Sequence, residues 1–351
     1  MKKICFVLPG FSRTPIGGYK MVFEYANRLV KEGYNVSILF LNQGKLSHYN
    51  LPAFIEKILA HVFTQIEPRW FVLDKRIQKV SSLDENYKEK IKNLDICFAT
   101  AVETVSEVKS NLQAKRKFYF IQDYENWHVS DKFVTDTYGI GFKNIVISKW
   151  LKNIVDKYSN EPSILIPNAI DTEIYKNNIL IEKRKPHTIA LLYHTAPHKG
   201  LKYAFEVLKE VKALYPDLQV TMFGQFPKPE IPDWITYYRS ASQAKTVEIY
   251  NTAEVFLCST LAEGYGLTGI EAMACGSCLV STEYTGVKEY AVNGYNALLS
   301  PVKDVQAQVN NIVRVFEDEQ LRKKISSNGI QSVKQFSWDN AMKKFNKAIE
   351  V

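Results

Sequence analysis

The chain has few cysteines, no long apolar run, and too little charge to keep it unfolded. Five cysteines in 351 residues, an odd number, exclude a disulfide framework and fit a reducing compartment. Cys275-Gly-Ser-Cys278 has Cys-x-x-Cys spacing, but no second pair accompanies it to build a zinc site. It closes a helical pattern and opens an apolar run. A redox pair normally opens a helix, so packing is the better reading here. No stretch reaches the roughly 18–20 apolar residues that cross a bilayer. The run Ile4–Leu8 is too short for a secretory signal. At the first loop, Gly17-Gly18 stands without the Gly-x-Gly-x-x-Gly spacing of a dinucleotide turn. The expected location is cytoplasmic, with the inner face of the plasma membrane as an extension of that reading.

Hydrophobic residues make up 46% of the chain and charged residues 23%, enough apolar content for two ordinary domains with sizeable cores. The net charge of +8 is uneven. Residues 1–150 hold 22 Lys/Arg and 15 Asp/Glu, and residues 151–351 hold 23 and 22. The basic first part suits an anionic membrane or a lipid-phosphate acceptor, and equally a solvated surface. No basic-aromatic nucleic-acid motif occurs.

Short apolar runs alternate with helical patterns. Ile4–Leu8, Val36–Leu41, Ile96–Ala99, Phe118–Ile121 and Ile145–Ile147 read as buried parallel strands, with Tyr19–Lys31 as the first crossover helix. Pro167 and Asn168 break the pattern, and the polar stretch 171–186 reads as a linker. The alternation then restarts with Ile189–Tyr193, Val220–Phe223, Ile235–Tyr238, Val255–Cys258 and Leu279–Ser281. Helical patterns lie at 201–214, 244–251, 305–317 and 339–349. The fold class is therefore α/β, with two doubly wound domains whose ligands bind at the carboxyl ends of strands. Leu51–Ile66 is an amphipathic helix with a weakly charged polar face. It reads as packing against the core, with a membrane or dimer helix as the alternative.

The most informative stretch is Glu263-Gly-Tyr-Gly-Leu-Thr-Gly-Ile-Glu271. A strand-like run ends before it, glycines open a turn, and a helical run follows. Backbone N–H groups at such a turn hold phosphate, and the two carboxylates accept hydrogen bonds from sugar hydroxyls. The site suits a nucleotide sugar.

These residues resemble the Glu-x7-Glu signature of retaining glycosyltransferase family four, which has the GT-B fold. Four further segments carry the resemblance along the chain: the first Gly-Gly loop, Leu8–Gly18; Pro167-Asn-Ala-Ile-Asp171; His194-Thr-Ala-Pro-His-Lys-Gly200; and Phe336-Ser-Trp338. The resemblance implies two Rossmann-like domains facing across a cleft: residues 1–168 on the acceptor side and 169–335 on the donor side. Residues 336–351 form a last helix packing back on the first domain.

By the same resemblance, Glu271 holds the ribose hydroxyls, Glu263 the transferred sugar, and Gly264, Tyr265, Gly266, Leu267 and Thr268 the sugar and diphosphate. Lys199 neutralises the leaving diphosphate, and the loop with Gly17 and Gly18 approaches the reacting phosphate. His194 stands where the family has arginine, and a histidine cannot form a bidentate fork to phosphate. Gln122 stands where many members have histidine. Phe120-Ile-Gln-Asp-Tyr-Glu125 resembles a rhamnosyltransferase-like branch of surface polysaccharide synthesis, which makes Asp123 and Glu125 candidate acceptor contacts. Glu263, Lys199 and Asp123 are the catalytic candidates.

The resemblance implies retaining transfer without a cofactor. No Asp-x-Asp metal motif occurs, so metal-independent transfer is expected, with protein cations and amides stabilising the leaving group. The implied donor is a nucleoside-diphosphate sugar, with dTDP-L-rhamnose as the guess. The implied acceptor is a saccharide or lipid-linked saccharide. Two alternatives stay open: a sugar-nucleotide epimerase or hydrolase on the same fold, and an inactive partner subunit.

Overall fold

The apolar run at the N-terminus forms β1 (Lys3–Leu8), in which Ile4, Cys5, Phe6 and Val7 are fully buried. A strand with no exposed face belongs in the middle of a parallel sheet covered on both sides, and β1 occupies that place. The computed structural model describes residues 1–350, apart from the side chain of His48. The chain forms two compact units. The first comprises Met1–Ile166 and the chain's end from Lys344; the second is Pro167–Lys343.

In the first unit β1 is joined by β2 (Asn35–Phe40), β3 (Gln78–Ser81), β4 (Leu94–Ala99), β5 (Ala114–Ile121), β6 (Lys143–Val146) and β7 (Ile164–Leu165). The order is β3-β2-β1-β4-β5-β6-β7, with every neighbouring pair parallel. The register sets Phe6 beside Phe98 and Phe98 beside Phe118, and their rings stack at 4.7 and 5.0 Å. Phe345, from the last helix (Trp338–Glu350), is fully buried in this core, 5.3 Å from Phe98 and 4.3 Å from Tyr25. Offset aromatic stacks of this kind add to the area they bury.

Helix α1 (Gly17–Lys31) buries Tyr19, Val22, Phe23, Ala26, Leu29 and Val30 at helical spacing. Its last turn carries Arg28 and Lys31, favourable at the negative end of the helix dipole. Helix α2 (Ala53–Ile66) corrects the expectation of a core-facing helix. Only Ala60 and Thr64 are fully buried along it; Ile55, Leu59 and Phe63 are half-buried, and Phe54, Ile58, Val62 and Ile66 point outward. Periodicity reports that a helix is two-sided, but not which side is covered.

The second unit contains β8 (Thr188–Tyr193), β9 (Gln219–Gly224), β10 (Ile235–Arg239), β11 (Val255–Cys258), β12 (Cys278–Thr282) and β13 (Leu298–Ser300), in the order β10-β9-β8-β11-β12-β13. All pairs are again parallel. The helices Leu201–Leu214 and Leu267–Ala274 connect β8 to β9 and β11 to β12. The helix Glu319–Val333, not expected from the sequence, follows Val305–Glu317 directly.

The stretch 171–186 is not a solvated linker. Tyr175, Ile181 and Arg184 are buried in it. The Arg184 guanidinium donates to the carbonyl oxygens of Ile179, Tyr250, Ala253 and Cys275. A charged residue in a polar stretch reads as exposed, but a guanidinium fork can satisfy several buried acceptors at once.

Candidate active site

Strand order reverses between β1 and β4 in the first unit and between β8 and β11 in the second. Crevices at such reversals bind ligands at the carboxyl ends of the strands. The second unit's candidate residues lie on the two loops that flank its reversal. His194–Gly200 follows β8, and Glu263–Thr268 follows β11.

Gly200 lets these loops come close. It has φ +65°, and a Cβ there would lie 1.9 Å from the carbonyl oxygen of Ser259. Lys199, just before it, reaches across to Glu263 with Nζ 2.5 Å from Oε1. Their side chains are only 17% and 24% exposed, so each charge depends on the other for compensation. Lys199, Ser259, Thr260, Glu263 and Thr268 line one pocket.

Gly266 precedes the helix Leu267–Ala274 with φ +91°, a conformation that suits glycine. No side chain caps this helix start, which leaves its dipole directed at the pocket. The loop is braced from beneath. Tyr290 Oη donates to the Gly266 carbonyl oxygen at 2.8 Å and lies 3.1 Å from Tyr284 Oη. A Cβ on Gly266 would meet Tyr284 Oη at 1.9 Å. The spacing Gly264-Tyr-Gly-Leu-Thr-Gly269 is itself Gly-x-Gly-x-x-Gly, placed between a strand and a helix as a phosphate cradle requires. That signal was available in the sequence. The tyrosine brace was not, because it joins positions 24 apart. Glu271 is 5% exposed and accepts from Tyr250 Oη at 3.4 Å.

His194 does not replace the cation of an arginine. Its Nδ1 accepts from the Ala196 amide at 3.0 Å, which puts the proton of the neutral ring on Nε2. Burial, followed by the charges of Lys199 and His198, holds its pKa below the usual histidine range. The ring packs edge-on against Phe226 at 4.9 Å. At neutral pH it offers one N–H donor and no net charge.

In the first unit, the loops after β1 and β5 meet. Gln122 Nε2 donates to the Gly18 carbonyl oxygen at 3.1 Å, so the glutamine at the histidine position ties the two loops together. Asp123 Oδ1 accepts from the Tyr124 amide at 2.8 Å, and Glu125 Oε2 from the Val102 amide at 2.6 Å. Burial, opposed in part by the Val102 amide and helped by Glu103 and Asp123, pushes the Glu125 carboxyl up to about 8. Glu125 is therefore neutral at pH 7 and can donate a hydrogen bond to a sugar oxygen.

This shift fixes the sign of a stability effect. The unfolded chain releases the Glu125 proton near pH 4.5 and the folded chain near 8, so stability falls as pH rises through that window. Glu125→Gln keeps an acceptor for the Val102 amide and removes the titration. Its melting temperature should exceed that of the unsubstituted chain at pH 8 and lose the advantage at pH 4.5. Equal melting curves at both pH values would refute the neutral carboxyl.

The structure thus brings His194, Lys199, Glu263, Gly264–Thr268 and Glu271 to one end of the second sheet, and Gly17, Gly18, Asp123 and Glu125 to one end of the first. Among the described residues, no three His, Cys, Asp or Glu side chains are grouped to hold a metal ion.

Comparison with known proteins finds likenesses, strongest in residues of the second unit. Residues 172–332 match the family described as Glycosyl transferases group 1. An uncharacterized glycosyltransferase of Methanocaldococcus jannaschii is 25% identical over 59% of this chain and 59% of its own length. A phosphatidyl-myo-inositol mannosyltransferase of Mycolicibacterium smegmatis is 22% identical over 50% of this chain and 48% of its own. The chain spans about half the length of the curated relatives it matches. Among solved structures, Anabaena HepE in complex with UDP and glucose superposes over the full length of both chains with a TM-score of 0.76 at 14% identity. The fold is that of the GT-B glycosyltransferases, two parallel-sheet Rossmann-like domains.

Proposed function

From a second unit that carries a Glycosyl transferases group 1 domain, we propose that this chain transfers a sugar from a nucleoside-diphosphate donor to a hydroxyl of a saccharide or lipid-linked saccharide. The observation that carries the reading is the Lys199–Glu263 pair, held at 2.5 Å beside an uncapped, glycine-preceded helix start with Glu271 on the same helix. One small region offers a cation, outward amides and two carboxylates. A nucleoside diphosphate sugar has the matching diphosphate, ribose hydroxyls and sugar hydroxyls.

In this reading Glu271 holds the ribose and Glu263 the transferred sugar. The amides of Gly264–Thr268, Lys199 and the His194 Nε2–H take the diphosphate. As the bond from anomeric carbon to phosphate oxygen breaks, charge builds on the leaving diphosphate. Lys199 and the helix start are already in place to receive it. The acceptor oxygen bonds to the same face of the anomeric carbon, and its proton passes to the leaving phosphate. Configuration is retained, with no protein nucleophile and no metal. Asp123 and the neutral Glu125 orient the acceptor. The segment Ile121-Gln-Asp-Tyr-Glu125 favours dTDP-L-rhamnose as donor and surface polysaccharide synthesis as the setting.

The reading is tested by mixing the protein with UDP-, GDP- and dTDP-sugars, with and without a polyprenyl-diphosphate-linked saccharide, in excess chelator. The expected result is nucleotide release that depends on acceptor and one donor, with a product of retained configuration by NMR. Release without acceptor would identify an epimerase or hydrolase. No turnover with any donor would identify an inactive partner subunit.

A further inference from the structure

Helix α2 is turned the opposite way from an ordinary surface helix. Its most deeply buried positions are small or polar. Ala60 and Thr64 are buried, and Thr64 Oγ1 accepts from Asn42 Nδ2 at 2.9 Å. Ile55, Leu59 and Phe63 are half-buried beside them, and four large apolar side chains face water: Phe54 is 64% exposed, Ile58 57%, Val62 43% and Ile66 40%. Residues four apart lie one above another on a helix, so these four form a ridge roughly 18 Å long. A continuous apolar ridge on a soluble surface marks a place that something covers.

The surroundings decide the occupant. Positions 45–79 hold six Lys or Arg against three acids. Two of the three acids are engaged: Glu67 is buried and accepts from the Arg69 amide, and Asp74 is bonded to Arg76; Glu56 is partly buried. Lys45, Lys57 and Arg13 are exposed, and the Arg69 side chain is 73% exposed. A second copy meeting ridge to ridge would bring like charges together with few free acids to answer them. An anionic lipid surface answers both features, because cations meet headgroup phosphates while apolar side chains enter the boundary below.

We propose that α2 docks the first unit onto an anionic lipid surface. The ridge also lies next to the candidate site. Arg13 sits 4.1 Å over the Phe63 ring, Phe11 packs at 5.3 Å from the same ring, and Trp70 Nε1 donates to the Ser12 carbonyl oxygen. The loop that leads to Gly17 and Gly18 is therefore built onto the lipid-facing helix. A lipid-linked acceptor held in that surface presents its sugar to this loop, a link that rests on the glycosyltransferase reading; the docking itself does not.

The test is co-sedimentation of the full chain with vesicles of phosphatidylcholine alone or with about one third phosphatidylglycerol. The unsubstituted chain should bind the anionic vesicles and release them as salt rises. The double substitution Phe54→Glu and Ile58→Glu should lower vesicle partition at least ten-fold. Its melting temperature and its turnover of a soluble acceptor should not change, since both side chains already face water. Lys57→Glu with Arg69→Glu should weaken binding to anionic vesicles and flatten its dependence on salt, because fewer screened contacts remain. The proposal is overturned if the chain ignores both vesicles or if the double variant binds as well as its parent. It is also overturned if the parent is a dimer that this substitution makes monomeric, which assigns the ridge to a second copy. Failure of the glycosyltransferase reading looks different: vesicle binding persists while no donor is turned over.

Discussion

Lys199→Ala is expected to lower kcat by about two to three orders of magnitude, the usual cost of deleting one preorganised group that stabilises a leaving oxyanion. The expectation follows from position. Lys199 sits at the turn before Gly200, and among the described residues its ion-pair partner is Glu263 at 2.5 Å. Among the described residues, no second cation forms an ion pair with that glutamate. His194 does not take over, because burial, the largest cause of its lowered pKa, still disfavours its protonation once the Lys199 charge is gone. The same substitution strips a half-buried carboxylate of its partner, so a modest fall in melting temperature should accompany the loss of rate. Lys199→Arg separates the two effects. It keeps the charge near Glu263, so it should recover most of the stability but only part of the rate, since a fork does not reproduce the placement of an ammonium. Turnover within about three-fold of the parent in Lys199→Ala would remove this residue from the chemistry.

The second large effect concerns stability. Arg184→Leu is expected to cost about 3–5 kcal/mol, because it leaves buried carbonyl acceptors without donors at roughly 1–3 kcal/mol each. The Tyr250 carbonyl keeps a second donor, the single Ser277 O–H at 2.6 Å, which the Ala253 carbonyl at 3.2 Å can only share. The carbonyls of Ile179 and Cys275 lose the guanidinium outright. Burial pushes the guanidinium pKa down to about 10, so it stays charged throughout the neutral range. The Cys275 and Tyr250 carbonyls lie at the ends of the helices Leu267–Ala274 and Gln243–Thr252, where a cation is favoured. Urea unfolding, followed by a probe in the second unit because two units need not unfold together, should show the loss. Arg184→Lys should recover little, since one ammonium cannot reach carbonyls on several sides. A midpoint unchanged in Arg184→Leu would show that water satisfies these carbonyls instead.

Arg184 also marks where sequence reading stops. The central strands were legible because a strand buried on both faces must be almost wholly apolar. Ile4–Leu8 and Val255–Cys258 could hardly be anything else. The edge strand β3, Gln78-Lys-Val-Ser81, has only one apolar residue, because an edge strand is half solvated. Helix α2 was legible as a helix but misread in orientation, since periodicity is blind to what lies opposite. In the donor region, the residue types and spacing of Lys199, Glu263 and Glu271 could be read in one dimension. Their mutual placement could not. The 2.5 Å contact between Lys199 and Glu263 spans 64 positions. The neutral state of His194 depends on an amide two residues away and on charges brought in by folding. The tyrosine brace under Gly266 has no local signature at all.

The measurement that tests the central claim most directly is ligand-induced thermal stabilisation by UDP, GDP, dTDP and their sugar conjugates, on the parent chain and on Glu271→Ala. A ligand that binds only the folded state raises the melting temperature, by about 2.7 kcal/mol of added stability at a hundred times its dissociation constant. The account predicts that one nucleotide stabilises the parent and fails to stabilise Glu271→Ala. Stabilisation of both chains to the same degree, or of neither by any nucleotide, would contradict it.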